Sequence, residues 1–259
     1  MFTRLWLWPN LLSLDAPLIA LLWQILFVRC FHSRPSSWSA ALLAVSVWLI
    51  YAADRTLDAW RGNEDQLRHR FYRRYWRVLL PGWVAALAGC GWLAWRNLSA
   101  IEFEGGVALL AAVALYLGSV HLKSNWIWAA GSKEAAVAIL FGVGTVLAAW
   151  PRLATTGDIF SVALFAILCW TNCVAIDDWE SQRPARTAVY VAAAAIALTA
   201  ATCMRDHRPV LGSAETVGAL GLIFLDRMRG RMSREALRVL ADAALASPVL
   251  FLPFAGIRI

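Results

Sequence analysis

YAADRTLDAWRGNEDQLRHRFYRRYWR, residues 51 to 77, joins the end of an apolar run to a dense basic segment and sets Asp54 and Asp58 at the junction. Helix positions i and i+4 lie one above the other, so the two carboxylates face the same way, a spacing that suits a divalent metal. Arg61, Arg68, Arg70, Arg73, Arg74 and Arg77 follow at once. They place positive charge where an anionic substrate or an anionic lipid surface would meet it.

The rest of the chain explains why this polar stretch stands out. Its 259 residues are 60% hydrophobic and include 15 Trp, a composition too apolar for a soluble globule of this length. A spanning helix needs about 20 largely apolar residues. The apolar runs predict a single all-α domain over residues 1–259, a polytopic bundle of about nine transmembrane helices. The expected spans are Leu11 to Cys30, Ser39 to Trp60, Val78 to Trp95, Gly105 to His121, Lys133 to Trp150, Ile159 to Trp179, Ala188 to Cys203, Val210 to Leu225 and Ala236 to Phe254. The first is too long for a signal-peptide core and is expected to remain as a span. Asp15 caps it. No room is left for a soluble catalytic domain, so any chemistry belongs to the bundle or its short loops.

The net charge of +7 does not imply nucleic acid, because the Arg residues lie between apolar runs and form no basic soluble face. With the N-terminus inside, sixteen Lys and Arg fall on the inner side and seven on the outer. That bias predicts a multi-pass protein of a bacterial inner membrane with its N-terminus in the cytoplasm. Cys30, Cys90, Cys169, Cys173 and Cys203 form no CxxC pair and read as packing residues. Trp38, Trp60, Trp95, Trp150 and Trp179 read as interfacial anchors. Trp126 and Trp128 are candidates for a loop over the site.

In this layout spans two and six both run inward, which puts a second polar cluster, TNCVAIDDWESQR at residues 171 to 183, at the same membrane side as Asp54 and Asp58. The two clusters are then able to face one another. Measured from Asn172 at about 100° per residue, Glu180 lies about 80° round the helix, Asp177 about 140° and Asp178 about 240°. Asp177 and Glu180 share a face, and Asp178 points to the interface or pairs with Arg183. Two carboxylate pairs with Lys and Arg at the rim suit Mg²⁺ bridging a polyphosphate, because Mg²⁺ prefers a few carboxylates, several waters and phosphate oxygens. A diphosphate whose organic part lies among transmembrane helices is a polyprenyl diphosphate.

These features resemble the UbiA superfamily of intramembrane prenyltransferases, which have nine helices and two Asp-rich motifs at the cytoplasmic ends of helices two and six. SLDAPLIALLWQ at Ser13 to Gln24 is similar to the family's opening helix, and KEAAVAILFGVGTVLAAW at Lys133 to Trp150 to its fifth. Asp54 and Asp58 match the first motif, NxxxDxxxD, with Ile50 in place of the Asn. The second motif departs from the family's spacing and offers Asn172, Asp177, Asp178 and Glu180. The resemblance implies that Asp54 and Asp58 hold one Mg²⁺, and that Asp177 and Glu180, with Asn172, hold another. It implies that Arg61, Lys123 and Lys133 contact the diphosphate, and that the prenyl group passes to a small aromatic or other electron-rich acceptor. His121 is the nearest base, although a lone His at a helix end is more often structural.

Plainer readings stand beside these. Arg55 and Arg61 could clamp Asp54 and Asp58 as ion pairs, the basic stretch could serve topology and lipid contact alone, and Asp242 could pair with Arg238. A lipid-binding protein of this fold without catalysis, or a multi-pass transporter, would use the acids differently.

Overall fold

Backbone N–H and C=O groups in a hydrocarbon medium must be satisfied within the segment, which favours helices throughout so apolar a chain. Every regular element among the described residues is helical. The computed structural model describes residues 12–60, 67–121, 132–181 and 208–255, together with residues 193, 195, 196, 198 and 199. In order the helices are α1 (Asp15–Cys30), α2 (Ser39–Trp60), α3 (Leu67–Asn97), α4 (Ala100–His121), α5 (Ser132–Val146), α6 (Thr156–Glu180), α7 (Pro209–Met228), α8 (Arg234–Leu245) and the single turn α9 (Pro248–Phe251). Among the described residues six segments are long and apolar enough to cross a membrane: Ser39–Asp58, Tyr75–Asn97, Ala100–His121, Ser132–Arg152, Thr156–Glu180 and Pro209–Arg231. Several such helices are the character of an integral membrane protein.

The chain forms two compact units, one of Met1–Leu21 with Ser36–Ser124 and one of Leu22–Pro35 with Asn125–Ile259. In the first, α2 packs mainly on α3. Indole N–H groups tie the helices to backbone carbonyls: Trp48 donates to Leu12 at 3.2 Å and Trp83 to Leu49 at 2.9 Å. At the start of α2 the Ser39 hydroxyl donates to Glu102, which also accepts from the Ser99 hydroxyl at 2.8 Å. Asp15 accepts from the N–H of Ala16 at 3.0 Å, in keeping with a role at the helix start.

The second unit is built on α6, the most buried of the candidate spans, which packs against α5, α7 and α8. Its centre is an aromatic cluster in which Phe165 meets Trp23 at 4.3 Å and Phe27 at 5.5 Å between ring centroids. Trp23, fully buried, also donates its indole N–H to the Leu245 carbonyl at 2.8 Å. That bond satisfies one of the carbonyls a helix C-terminus leaves open. At the other end of the unit, Thr155 and Asp158 form a capping box at the start of α6. Asp158 pairs with Arg208, which donates to the Cys30 carbonyl at 3.0 Å and lies over the Phe31 ring.

Three of the expected spans differ. Helix α1 has 16 residues, or about 24 Å at 1.5 Å per residue, and starts later than expected. Helix α3 starts at Leu67, so the basic stretch from Leu67 onward continues the third span as helix. Leu and Arg are good helix formers, and no Gly or Pro interrupts before Pro81. The expected ninth span is not one apolar helix. It is the amphipathic α8, which buries Leu237, Ala241 and Leu245 along one face, then a break at Ala246 and Ser247, then α9. Pro248 supplies no N–H to continue the α8 ladder, and the Ser247 hydroxyl turns to the Ala214 carbonyl at 2.7 Å. Span seven lies for the most part outside the described residues.

Close helix approach in this unit depends on missing side chains. A Cβ on Gly221 would come within 2.9 Å of the Ala244 Cβ, a short stem that cannot swing aside. Gly221→Ala is therefore expected to separate α7 from α8 at a cost of about 1–3 kcal/mol. Thermal unfolding of the purified protein in detergent measures it, and an unchanged midpoint would contradict the packing described.

Candidate functional site

The last turns of α2 place Asp54 and Asp58 as the i, i+4 spacing requires. Between them Arg55 turns the other way. It is buried, donates to the Ser13 hydroxyl at 2.6 Å and lies 3.9 Å from Asp15. Its described partners therefore lie at the start of α1, and the Arg55 half of the clamp weighed above gives way to a tie between α1 and α2.

The partner of the Asp pair is His121, the last residue of α4. Its Nε2 is 3.1 Å from Asp54 Oδ1 and its Nδ1 is 4.0 Å from Asp58 Oδ1. The His121 side chain is 8% exposed, whereas Asp54 is 38% and Asp58 31% exposed, so the carboxylates form the open rim and the imidazole lies beneath them. Among the described residues neither carboxylate meets a Lys or Arg. Arg61 and Lys123 lie outside the described residues.

The second cluster ends α6 in the other unit; Arg183, an expected partner of Asp178, lies outside the described residues. Asp177 and Glu180 are half-buried, but Asn172 and Asp178 are buried too, Asp178 to 2% exposure. Because α6 is packed by α5, α7 and α8 on several sides, a position about 240° from Asn172 is still interior. Glu180 forms an ion pair with Arg238 of α8. Asp177 is approached by the Ser181 hydroxyl at 3.5 Å. Trp179, expected as an interfacial anchor, is buried and donates its indole N–H to Asp226 at 3.0 Å. Asp226 also lies 3.7 Å from Arg229. Trp38, Trp95 and Trp150 are exposed, as anchors require. Trp126 and Trp128 lie outside the described residues.

Lys133 is exposed in the first turn of α5. Beyond it, α5 and α6 line an open cavity of about 610 Å³ between apolar side chains, among them Ala135, Ile139, Val143, Ile159, Ala166 and Trp170. Its α5 lining begins at Ala135, two residues beyond Lys133. Gly142 lets α5 approach here, since a Cβ at that position would meet Ala166 at 3.3 Å.

Among the described residues no three His, Cys, Asp or Glu side chains are grouped to hold a metal. Four buried acids were not singled out from sequence: Glu102, Asp158, Glu215 and Asp226. Asp158 was signalled by the T-x-x-D pattern of a capping box. Glu215 is fully buried in α7, and both its oxygens lack a hydrogen-bond partner among the described residues; no local sequence pattern marks it. No known protein family, curated protein or solved structure matches the chain.

The Glu180–Arg238 pair is partly buried, between the limits of surface pairs and fully buried ones. Arg238→Met, which leaves Glu180 without that cation, is expected to destabilise the protein by about 1–2 kcal/mol. Thermal unfolding at low and high salt checks this. A loss that does not shrink as salt rises would point to packing by the Arg stem instead.

Proposed function

We propose that this chain is a UbiA-type intramembrane prenyltransferase, using Mg²⁺ to transfer a prenyl group from a polyprenyl diphosphate to an aromatic or other electron-rich acceptor. The observation that carries the proposal is the state of Asp54 and Asp58. Two carboxylates stand half-exposed one turn apart at the end of an apolar helix, and neither meets a Lys or Arg among the described residues. Adjacent negative charges at a membrane boundary are costly, and a divalent cation that keeps most of its waters fits such a rim.

Each part of the proposed chemistry has a candidate group. Asp54 and Asp58 hold one ion, and Asp177, Glu180 and Asn172 belong to the second motif. Lys133 is exposed and able to reach toward a diphosphate, and Arg61 and Lys123, outside the described residues, are assigned the same role in the proposal. The apolar cavity between α5 and α6 accepts an isoprenoid chain that starts near Lys133. Bound Mg²⁺ offsets the charge that grows on a departing diphosphate. The C–O bond breaks with its electron pair going to diphosphate, the allylic carbon bonds to the acceptor, and the acceptor loses a proton to water. In the same proposal the N-terminus and active site face the cytoplasm of a bacterial inner membrane, following the excess of Lys and Arg in the expected inner segments.

One observation favours a second reading, a lipid-binding protein of the same kind without catalysis. Glu180, one of the second-motif carboxylates, is already paired with Arg238. The two readings separate on turnover. Purified protein is incubated with a prenyl diphosphate and a panel of aromatic acceptors, with and without Mg²⁺. Diphosphate release is expected only with Mg²⁺, and is expected to fall at least about 100-fold in Asp54→Ala and in Asp177→Ala. Mg²⁺-dependent binding without release would favour the lipid-binding reading, and no binding at all would remove both.

A further inference from the structure

We infer that His121 is a positioning residue for Asp54: it holds one carboxylate oxygen from below so that the remaining lone pairs face a divalent cation. This rests on the reading that Asp54 and Asp58 bind such an ion, and adds to it a residue on a different helix.

The geometry separates this role from that of a ligand or a simple ion-pair partner. An ionised carboxylate can only accept, so the hydrogen bond at 3.1 Å has the proton on Nε2 and the acceptor at Asp54 Oδ1. The Nδ1 to Asp58 distance of 4.0 Å is beyond hydrogen-bond range, so the ring engages one carboxylate and leaves the other to the helix that carries it. Exposure orders the layers: the imidazole is 8% exposed and the two carboxylates more than 30%, so a cation arriving from solvent reaches carboxylate oxygens first. A donor behind a metal-binding carboxylate fixes its rotamer and orients its lone pairs, and losing such a partner typically weakens metal binding about 10–100-fold.

The Ser39–Glu102 hydrogen bond ties the starts of α2 and α4, and His121 with Asp54 ties their ends. Helix α2 packs mainly on α3, and its contact with α4 is slight. The His121 bond therefore carries the end of α4 to the rim that Asp54 and Asp58 form.

The test uses the full chain in detergent with Mn²⁺ as the probe, because the free hexaaqua ion is counted directly by electron paramagnetic resonance. Four proteins are compared: wild type, Asp54→Asn, His121→Gln and His121→Asn. Gln carries its amide nitrogen near the place of Nε2, whereas the shorter Asn carries it near the place of Nδ1. Both substitutions are polar and similar in size, so a general effect on folding would strike them alike. Unfolding midpoints without metal confirm that the two variants are equally folded. Wild type is expected to bind Mn²⁺ and Asp54→Asn to lose it. His121→Asn is expected to bind about 10–100-fold more weakly and His121→Gln within about threefold of wild type.

Equal weakening in Gln and Asn, or wild-type affinity in both, would overturn the positioning role while Asp54→Asn still reports a metal site. Failure of wild type to bind Mn²⁺ would overturn the metal reading and this inference together.

Discussion

Charge inside an apolar bundle must be matched, and the folded chain is arranged around those matches. Arg55 reaches back to Ser13 and Asp15, Arg208 closes on Asp158, Arg238 on Glu180, and His121 on Asp54. Each joins two helices that would otherwise meet through apolar side chains alone. In hydrocarbon such contacts give no net hydrophobic gain, since lipid tails are as apolar as Leu. Polar ties therefore have unusual weight in choosing which helices are neighbours. Glu215 stands outside the pattern, fully buried and without a hydrogen-bond partner among the described residues.

Tryptophan supplies a second class of tie. Trp23, Trp48, Trp83 and Trp179 all direct the indole N–H to a carbonyl or carboxylate on another element. The ring fills apolar space while one donor at its edge satisfies a polar group, which suits a chain with little water inside. Composition alone divides such a residue from an interfacial anchor poorly. Trp179 and Trp150 both sit near the end of an apolar run, yet one is buried against Asp226 and the other exposed.

The membrane character and the middle spans were legible because hydrocarbon imposes length and composition on a helix. Residues 39–58, 100–121, 132–152, 156–180 and 209–231 follow that rule with small changes of boundary. The final segment was not legible, because overall apolarity hid a short amphipathic helix and a Ser-Pro break. At the candidate site, the i, i+4 geometry of Asp54 and Asp58 could be read from spacing. The approach of His121 could not, since it comes from a residue 67 positions away and depends on how α4 ends. The burial of Asp178 has a related cause: a wheel assumes one buried face, and α6 is covered on several.

The cavity between α5 and α6 carries a consequence for selectivity. Its walls are Ala, Val, Ile, Leu and Trp, so that the Trp indole N–H groups are the side-chain polar groups in its lining. Such a lining selects by packing. Against lipid tails of equal apolarity, a methylene placed there gains packing contacts and no hydrophobic transfer. Any ligand it holds is ranked by shape and bulk, and widening the cleft, for instance by trimming Val143, would change that ranking without touching a polar atom.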